Sequence, residues 1–272
     1  MILEALRDPA RLIRIMRWVL LSLGLLLAPL AAQADEHKLT VVIDPGHGGE
    51  QDGAPGVAKG VWEKDLTLAI AKKLAAKLRT DLGAVVMLTR EGDEHLFLGR
   101  RIAFANAHGA DLFLSIHLNS MPTRYERQHV EGIETYFLSA DASDERAAKV
   151  AAMENADDGP KKKGGNDLSM ILDDLTLTAA HQDASRLAKA VHGSLVSHLH
   201  AIDHGVQQAP FVVLMGAQMP AILCEVGFIS HPDEGKKLTT AEYQDQVADA
   251  LLAGVRAFLA QPRAHDVAAA MH

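Results

Sequence analysis

Short apolar, β-branched runs alternate with stretches of helical periodicity along most of the chain. Residues 39–43 are predicted to be a strand that runs into the turn-forming segment Asp44-Pro45-Gly46-His47-Gly48-Gly49. Leu66, Ile70, Leu74 and Leu78 recur at i, i+4 and predict a helix over residues 64–79. A strand follows at 84–88, a helix at 98–108 closed by Gly109, and strands at 111–116 and 132–138. A late apolar strand at 221–226 precedes a final amphipathic helix over 243–259, with Val247, Leu251 and Val255 in register. This alternation predicts a single α/β domain: a twisted, mostly parallel (mixed) central sheet flanked by helices. No internal repeat is visible, and the last residues, 263–272, read as a flexible tail.

Residues 139–175 break the rhythm. They contain a helical pattern (144–155), then Asp157-Asp158-Gly159-Pro160, a Lys161-Lys162-Lys163 run and Gly164-Gly165. A connection this long inside a compact domain is usually functional or disordered, and the segment is set apart as a helical insertion.

The first 34 residues read as an address rather than as fold. Arg7, Arg11, Arg14 and Arg17 precede an apolar run from Trp18 to Leu30, and Ala32-Gln33-Ala34 supplies a small-x-small cleavage pattern. The run is broken by Gly24 and Pro29 and falls short of the roughly 20 residues that span a bilayer. The expectation is a signal peptide over 1–34, an exported product, and no stable membrane span after cleavage. Residues 35–262 are left as one catalytic domain.

Composition narrows the chemistry. The 272 residues carry 27 Lys+Arg against 35 Asp+Glu, a formal charge of −8. Cleavage removes four Arg and two acids (Glu4, Asp8) and takes the charge to about −10. Such an excess of acid argues against a nucleic-acid partner, which needs a basic patch. The single Cys excludes a disulfide framework and a Cys-rich zinc site. With 14 His, a metal site would be built from imidazole and carboxylate.

The predicted strands place four such side chains on one rim. His47 lies just past the first strand, His117 at the end of the third, Glu225 near the end of the late strand, and Glu63 at the start of the first helix. In open α/β sheets, ligands bind where the carboxyl ends of strands converge. Two His and one carboxylate with an open fourth position form the ligand set of a catalytic zinc site. Each residue also has a plainer reading: His47 as a surface residue, Glu63 as a complement to the helix dipole, His117 as a satisfied core histidine, and Glu225 as an exposed strand end. Cys224, on the opposite face from Glu225, reads as a small buried residue. His192, His198 and His200 form a second cluster without a convincing carboxylate pattern and read as surface.

Four ordered segments carry a resemblance. They are Val41-Val42-Ile43-Asp44-Pro45-Gly46-His47-Gly48-Gly49, Glu63-Lys64-Asp65, Ser115-Ile116-His117-Leu118-Asn119-Ser120 and Cys224-Glu225-Val226-Gly227-Phe228-Ile229-Ser230. In order and spacing they resemble the zinc-dependent N-acetylmuramoyl-L-alanine amidases of the bacterial cell wall, over about residues 39–259. Arg90, and Arg101 with Ala105-Asn106, also match; Leu118, Ser120 and Cys224 depart from the common pattern without touching a ligand. The resemblance implies one zinc per chain held by His47, Glu63 and His117, with Glu225 as the catalytic carboxylate. It implies a peptidoglycan substrate, in the amide between the lactyl group of N-acetylmuramic acid and L-alanine, and a periplasmic setting in wall remodelling and daughter-cell separation. Another zinc hydrolase of the wall, such as a peptidase or deacetylase, or a non-catalytic peptidoglycan-binding module remain as alternatives. The insertion resembles the regulatory segment of cell-division amidases, in which a helix occludes the site until a LytM-type activator releases it. Glu154-Asn155-Ala156 is the best local match. Val150 and Met153 would seat the helix while Glu154 reaches the ion as an inhibitory ligand; the alternative reading of Glu154 is one solvated acid among Asp144, Glu145, Asp157 and Asp158.

Overall fold

The structure is a computed structural model that describes residues 37–158 and 179–261. The signal segment, the tail and the Lys161–Lys163 part of the insertion lie outside the described residues. Six strands form one sheet in the order β2-β1-β3-β6-β4-β5. They are β1 (Thr40–Pro45), β2 (Val85–Leu88), β3 (Leu112–Asn119), β4 (Ile133–Leu138), β5 (Asp203–Ala209) and β6 (Ala221–Phe228). All neighbours are parallel except β4 against β6, which makes the sheet mixed as expected.

The interior strands are apolar on both faces because both are covered by helices. On β1, Val41 and Ile43 enter one core and Val42 the other. The first core is closed by α1 (Glu63–Leu82), α5 (Ala179–Leu199) and α7 (Ala241–Leu259). The second is closed by α2 (Leu98–Ala107), the helix of the insertion α4 (Glu145–Glu154), and a 3-10 turn at Val212–Leu214. Leu66, Ile70, Leu74 and Leu78 are buried along α1, as their spacing predicts, and Gly83 ends the helix in a left-handed C-cap. Two short helices, α3 (Arg124–His129) and α6 (Glu234–Leu238), complete the described elements.

α5 is not among the predicted elements, although Leu187, Val191 and Leu195 are buried along it at i, i+4 spacing, and three further elements lack a readable pattern. β5 reads Asp-His-Gly-Val-Gln-Gln-Ala and is half-buried, so it lacks the apolar alternation of a strand; it pairs along one side only, as an edge. α3 has no buried residue and is held by a capping box between Thr123 and Glu126 instead of by an apolar face. α6 is five residues long.

The second histidine cluster is corrected in part. His198 and His200 are exposed, but His192 is buried on α5 with Nε2 2.7 Å from Asp203 Oδ1 and Nδ1 3.2 Å from Thr135 Oγ1. The carboxylate comes from β5, beyond the reach of a local reading. Cys224 is fully buried, and burial pushes its thiol above the usual range.

Candidate metal centre

β1 delivers the chain into the turn that carries His47, whose backbone is left-handed at φ 60°. That conformation is costly for a residue with a Cβ and needs support from its surroundings. Two buried arginines supply it by binding consecutive carbonyls. Arg90 donates from Nε to the Pro45 carbonyl at 3.0 Å and from Nη2 to that of Gly46 at 2.8 Å. Arg101 donates from Nη1 to Pro45 at 2.9 Å and from Nη2 to His47 at 2.8 Å. Asp44 anchors Arg101 in turn, at 2.9 Å, and accepts from Thr89 and Ser115.

Two glycines make room for the donor groups. A Cβ on Gly46 would lie 2.5 Å from Cε1 of His117, and one on Gly53 would lie 2.5 Å from Cδ2 of His47 and 2.7 Å from Oε2 of Glu63. Glu63, the first residue of α1, is fixed by two backbone donors: Leu118 N–H to Oε1 at 2.8 Å and Ala54 N–H to Oε2 at 2.9 Å. His117 on β3 stands opposite Glu225 on β6 in the ladder, with a bulge immediately after it. Thus the two reach the same rim.

The donor atoms converge. His47 Nε2 is 3.0 Å from Glu63 Oε2, and His117 Nδ1 is 3.2 Å from Glu63 Oε1. Glu154, at the end of α4, places Oε2 2.8 Å from His117 Nδ1 and 3.4 Å from His47 Nε2. The donor atoms of His47, Glu63 and His117 lie within 4.8 Å of one another, as do those of His117, Glu154 and Glu225. Yet His47 Nε2, His117 Nδ1, Glu154 Oε2 and both Glu225 oxygens are buried without a hydrogen-bond partner. Buried polar atoms are almost always satisfied. Imidazole and carboxylate lone pairs turned towards one point are the donor set of a divalent cation, and the residues present fit zinc.

The electrostatics say the same. Burial opposes a charge on His47, but Glu63, Glu154 and Asp157 outweigh it and hold its pKa well above the ordinary value. Burial likewise opposes charge on His117, and Glu154 and Glu63 overcome it, raising the pKa to about 10. Burial disfavours the Glu63 anion, but His47 and His117 push its pKa below the usual carboxylate range. At Glu225 burial first, then Glu154, outweigh the opposing pull of His117 and raise its pKa well above that range. The centre is a pocket of negative potential that attracts positive charge.

All five residues singled out in the sequence, His47, Glu63, His117, Glu225 and Glu154, therefore meet in space. Two details differ from expectation. Met153 is exposed; Ala147, Val150 and Ala151 seat α4 instead. Asp157 is also no solvated acid: its Oδ2 lies 2.8 Å from His47 Nδ1, and its carbonyl accepts from Gln51 Nε2 at 3.1 Å. With Nδ1–H donated to Asp157, the Nε2 lone pair of His47 is the one that faces the centre. Three-residue spacing from Glu154 is the only sequence signal that pointed to it.

Residues 41–257 match the N-acetylmuramoyl-L-alanine amidase family Amidase_3. The chain is 35% identical to the amidase AmiC of Escherichia coli over 231 residues, covering 83% of this chain and 54% of AmiC. It is 36% identical to E. coli AmiA over 225 residues, covering 80% of this chain and 75% of AmiA. The chain thus spans about half the length of AmiC and three quarters of AmiA. The crystal structure of an N-acetylmuramoyl-L-alanine amidase from Clostridium difficile 630 superposes with a TM-score of 0.62 at 32% identity, over 82% of this chain and 97% of that one. Sequence, fold and the donor set at the strand ends agree, and the chain belongs to the N-acetylmuramoyl-L-alanine amidase family.

Proposed function

We propose that the protein is an exported, periplasmic zinc hydrolase. It cleaves the amide between the lactyl group of N-acetylmuramic acid and L-alanine of peptidoglycan stem peptides, in wall remodelling and daughter-cell separation. The observation that carries this reading is the set of buried, unpartnered donor atoms of His47 and His117 beside Glu63. In it, residues 1–34 are a signal peptide, 35–262 the catalytic domain and 263–272 a flexible tail. One zinc is held by His47, Glu63 and His117. When bound, zinc lowers the pKa of water and polarises a carbonyl. Glu225 takes the proton of the attacking water and delivers it to the departing amine of L-alanine. Its burial suits that task, because a carboxyl with raised proton affinity both accepts and holds the proton. Asp157 keeps the His47 ring in the ligating tautomer, and Arg90 and Arg101 hold the turn that aims it.

Residues 139–175 form a self-inhibitory insertion in this reading. Glu154 lies where substrate and water must enter, between the two histidines. α4 is seated by three small or medium apolar side chains, so a partner binding it with a few kcal/mol of preference for the released state would shift the equilibrium. A LytM-type activator is the proposed partner.

The test is release of soluble fragments from purified peptidoglycan by the mature protein with no partner added. Wild type should be nearly silent, whereas Glu154→Ala and a variant lacking residues 140–168 should be active. Glu225→Ala in the Glu154→Ala background should bind zinc and release nothing. A chelator should silence the active variants and zinc should restore them. Equal activity of wild type and both open variants would overturn self-inhibition.

A further inference from the structure

Beyond the metal centre, the trough that holds α4 contains a second built site, made around Glu134. This residue stands directly opposite Glu225 in the antiparallel β4–β6 ladder and is buried. Its Oε2 accepts from Asn119 Nδ2 at 2.7 Å and from the Tyr136 hydroxyl at 2.9 Å. Oε1 faces the guanidinium of Arg146, from the first turn of α4. The same guanidinium lies over the ring of Phe228, 5.6 Å from its centroid, and Nη1 is 3.5 Å from His204 Nδ1. A buried carboxylate, an aromatic face and a ring nitrogen therefore enclose one cation.

That cation belongs to the insertion and not to the sheet. α4 lies between two clefts, one of about 440 Å³ that includes His47, Glu63 and Asp157, and one of about 630 Å³ that includes Asn119 and Arg146. Both are lined by Ser120, Met121, Pro122 and Met153, so withdrawal of the helix joins them. Withdrawal also takes Arg146 away and leaves the Glu134 carboxylate, which lines neither cleft while the helix is in place, without its cation. Glu134 keeps two neutral donors, and a buried carboxylate without a cation is costly.

We propose that Glu134, with Phe228, is a substrate-binding subsite for a primary ammonium of the stem peptide, and that Arg146 occupies it as a substrate mimic in the closed state. The inference rests on the amidase reading and on release of α4. The chemistry that fits is the side-chain ammonium of the diamino acid in the stem peptide, beyond the scissile L-alanine bond. Acylation of that amine removes both its charge and its fit to the carboxylate. The subsite therefore favours stems whose amine is free over stems cross-linked through it.

The test uses the full mature chain carrying Glu154→Ala, loaded with zinc, on two muramyl peptides that differ only in whether the diamino acid amine is free or N-acetylated. The free amine should be preferred about tenfold in kcat/KM, through KM, as expected for a charge-assisted contact. Glu134→Gln should erase the preference by raising KM for the free amine to that of the acetylated peptide. Equal KM values for the two peptides with Glu134 intact would overturn the subsite, and that comparison does not depend on how well the Gln variant folds. So would a Glu134→Gln variant that loses kcat on both peptides and keeps the preference. Failure to cleave either peptide would overturn the amidase reading instead.

Discussion

A histidine in a left-handed backbone is held there by its neighbours, and at His47 they are identifiable: two arginines on three successive carbonyls, and glycines where a side chain would collide with the ligands. Gly46 gives the sharpest prediction. Its φ is ordinary, so Gly46→Ala tests crowding alone; the new methyl would have to displace the His117 ring. Zinc affinity, measured by competition with a chelator, should fall roughly tenfold or more while far-UV circular dichroism stays unchanged. Unchanged affinity would show that the His117 ring is not held against that glycine. Glu234, remote from the metal centre, predicts a pH effect on stability. Burial raises its pKa to about 7, although the Phe228 and Gly132 N–H groups donate to it and pull the other way. Glu131 adds to the rise, Lys237 opposes it, and the Glu234 N–H itself donates to His231 Nδ1. Because the folded value lies above the unfolded one, the folded state binds more protons. Stability is therefore lost as pH rises from about 4.5 to about 7 and is level above that. The loss is on the order of 2–3 kcal/mol. Glu234→Gln, which can still accept both bonds, should flatten the slope and raise Tm at pH 8; a slope that persists in the variant would assign it to another group. The four residues at the strand ends were legible in the sequence because a carboxylate or imidazole beside an apolar strand is conspicuous. Asp157, Glu134 and Arg146 were not, since each is joined to the site by contacts from other elements and looks like an ordinary surface charge in its own segment.

At the level of elements, most periodic ones were read correctly, α5 being the exception, and the unpatterned ones were missed for a physical reason. α1 and α7 bury a continuous stripe, so spacing reveals them. β5 earns its place by pairing with β4 and has no stripe to show. The packing of α5 on α7 turns on Gly254, where a Cβ would meet the Val191 Cα at 2.5 Å. Alanine there gains about 1 kcal/mol of helix propensity but forces the two backbones apart, at about 1–3 kcal/mol. Gly254→Ala should lower Tm by a few degrees in a thermal melt. A rise in Tm would mean that the two helices separate at no cost. The insertion helix is the opposite case. Its buried face is only Ala147, Val150 and Ala151, and its polar anchors are Arg146 on Glu134 and Glu154 on His117. An element held by a few polar contacts and little apolar area is suited to leaving.

For the whole molecule, the sheet brings the ends of β1, β3 and β6 to one edge, and α1 adds its first residue there. The insertion reaches that rim too and sets Glu154 beside His47 and His117. The acidic centre explains why a divalent cation should be retained: the donor atoms of His47, Glu63 and His117, and those of His117, Glu154 and Glu225, lie within 4.8 Å of one another in each group. Zinc loading should accordingly raise Tm with the logarithm of the free-metal concentration once that exceeds Kd, as expected for a ligand that binds only the folded state. The bond that is cut is the central claim. It is tested by mass analysis of peptidoglycan digested with the zinc-loaded Glu154→Ala protein. The account predicts intact stem peptides with a free L-alanine amine, together with glycan bearing unsubstituted lactyl carboxylates. Shortened peptides still attached to muramic acid, or glycan that has lost only acetyl groups, would contradict it.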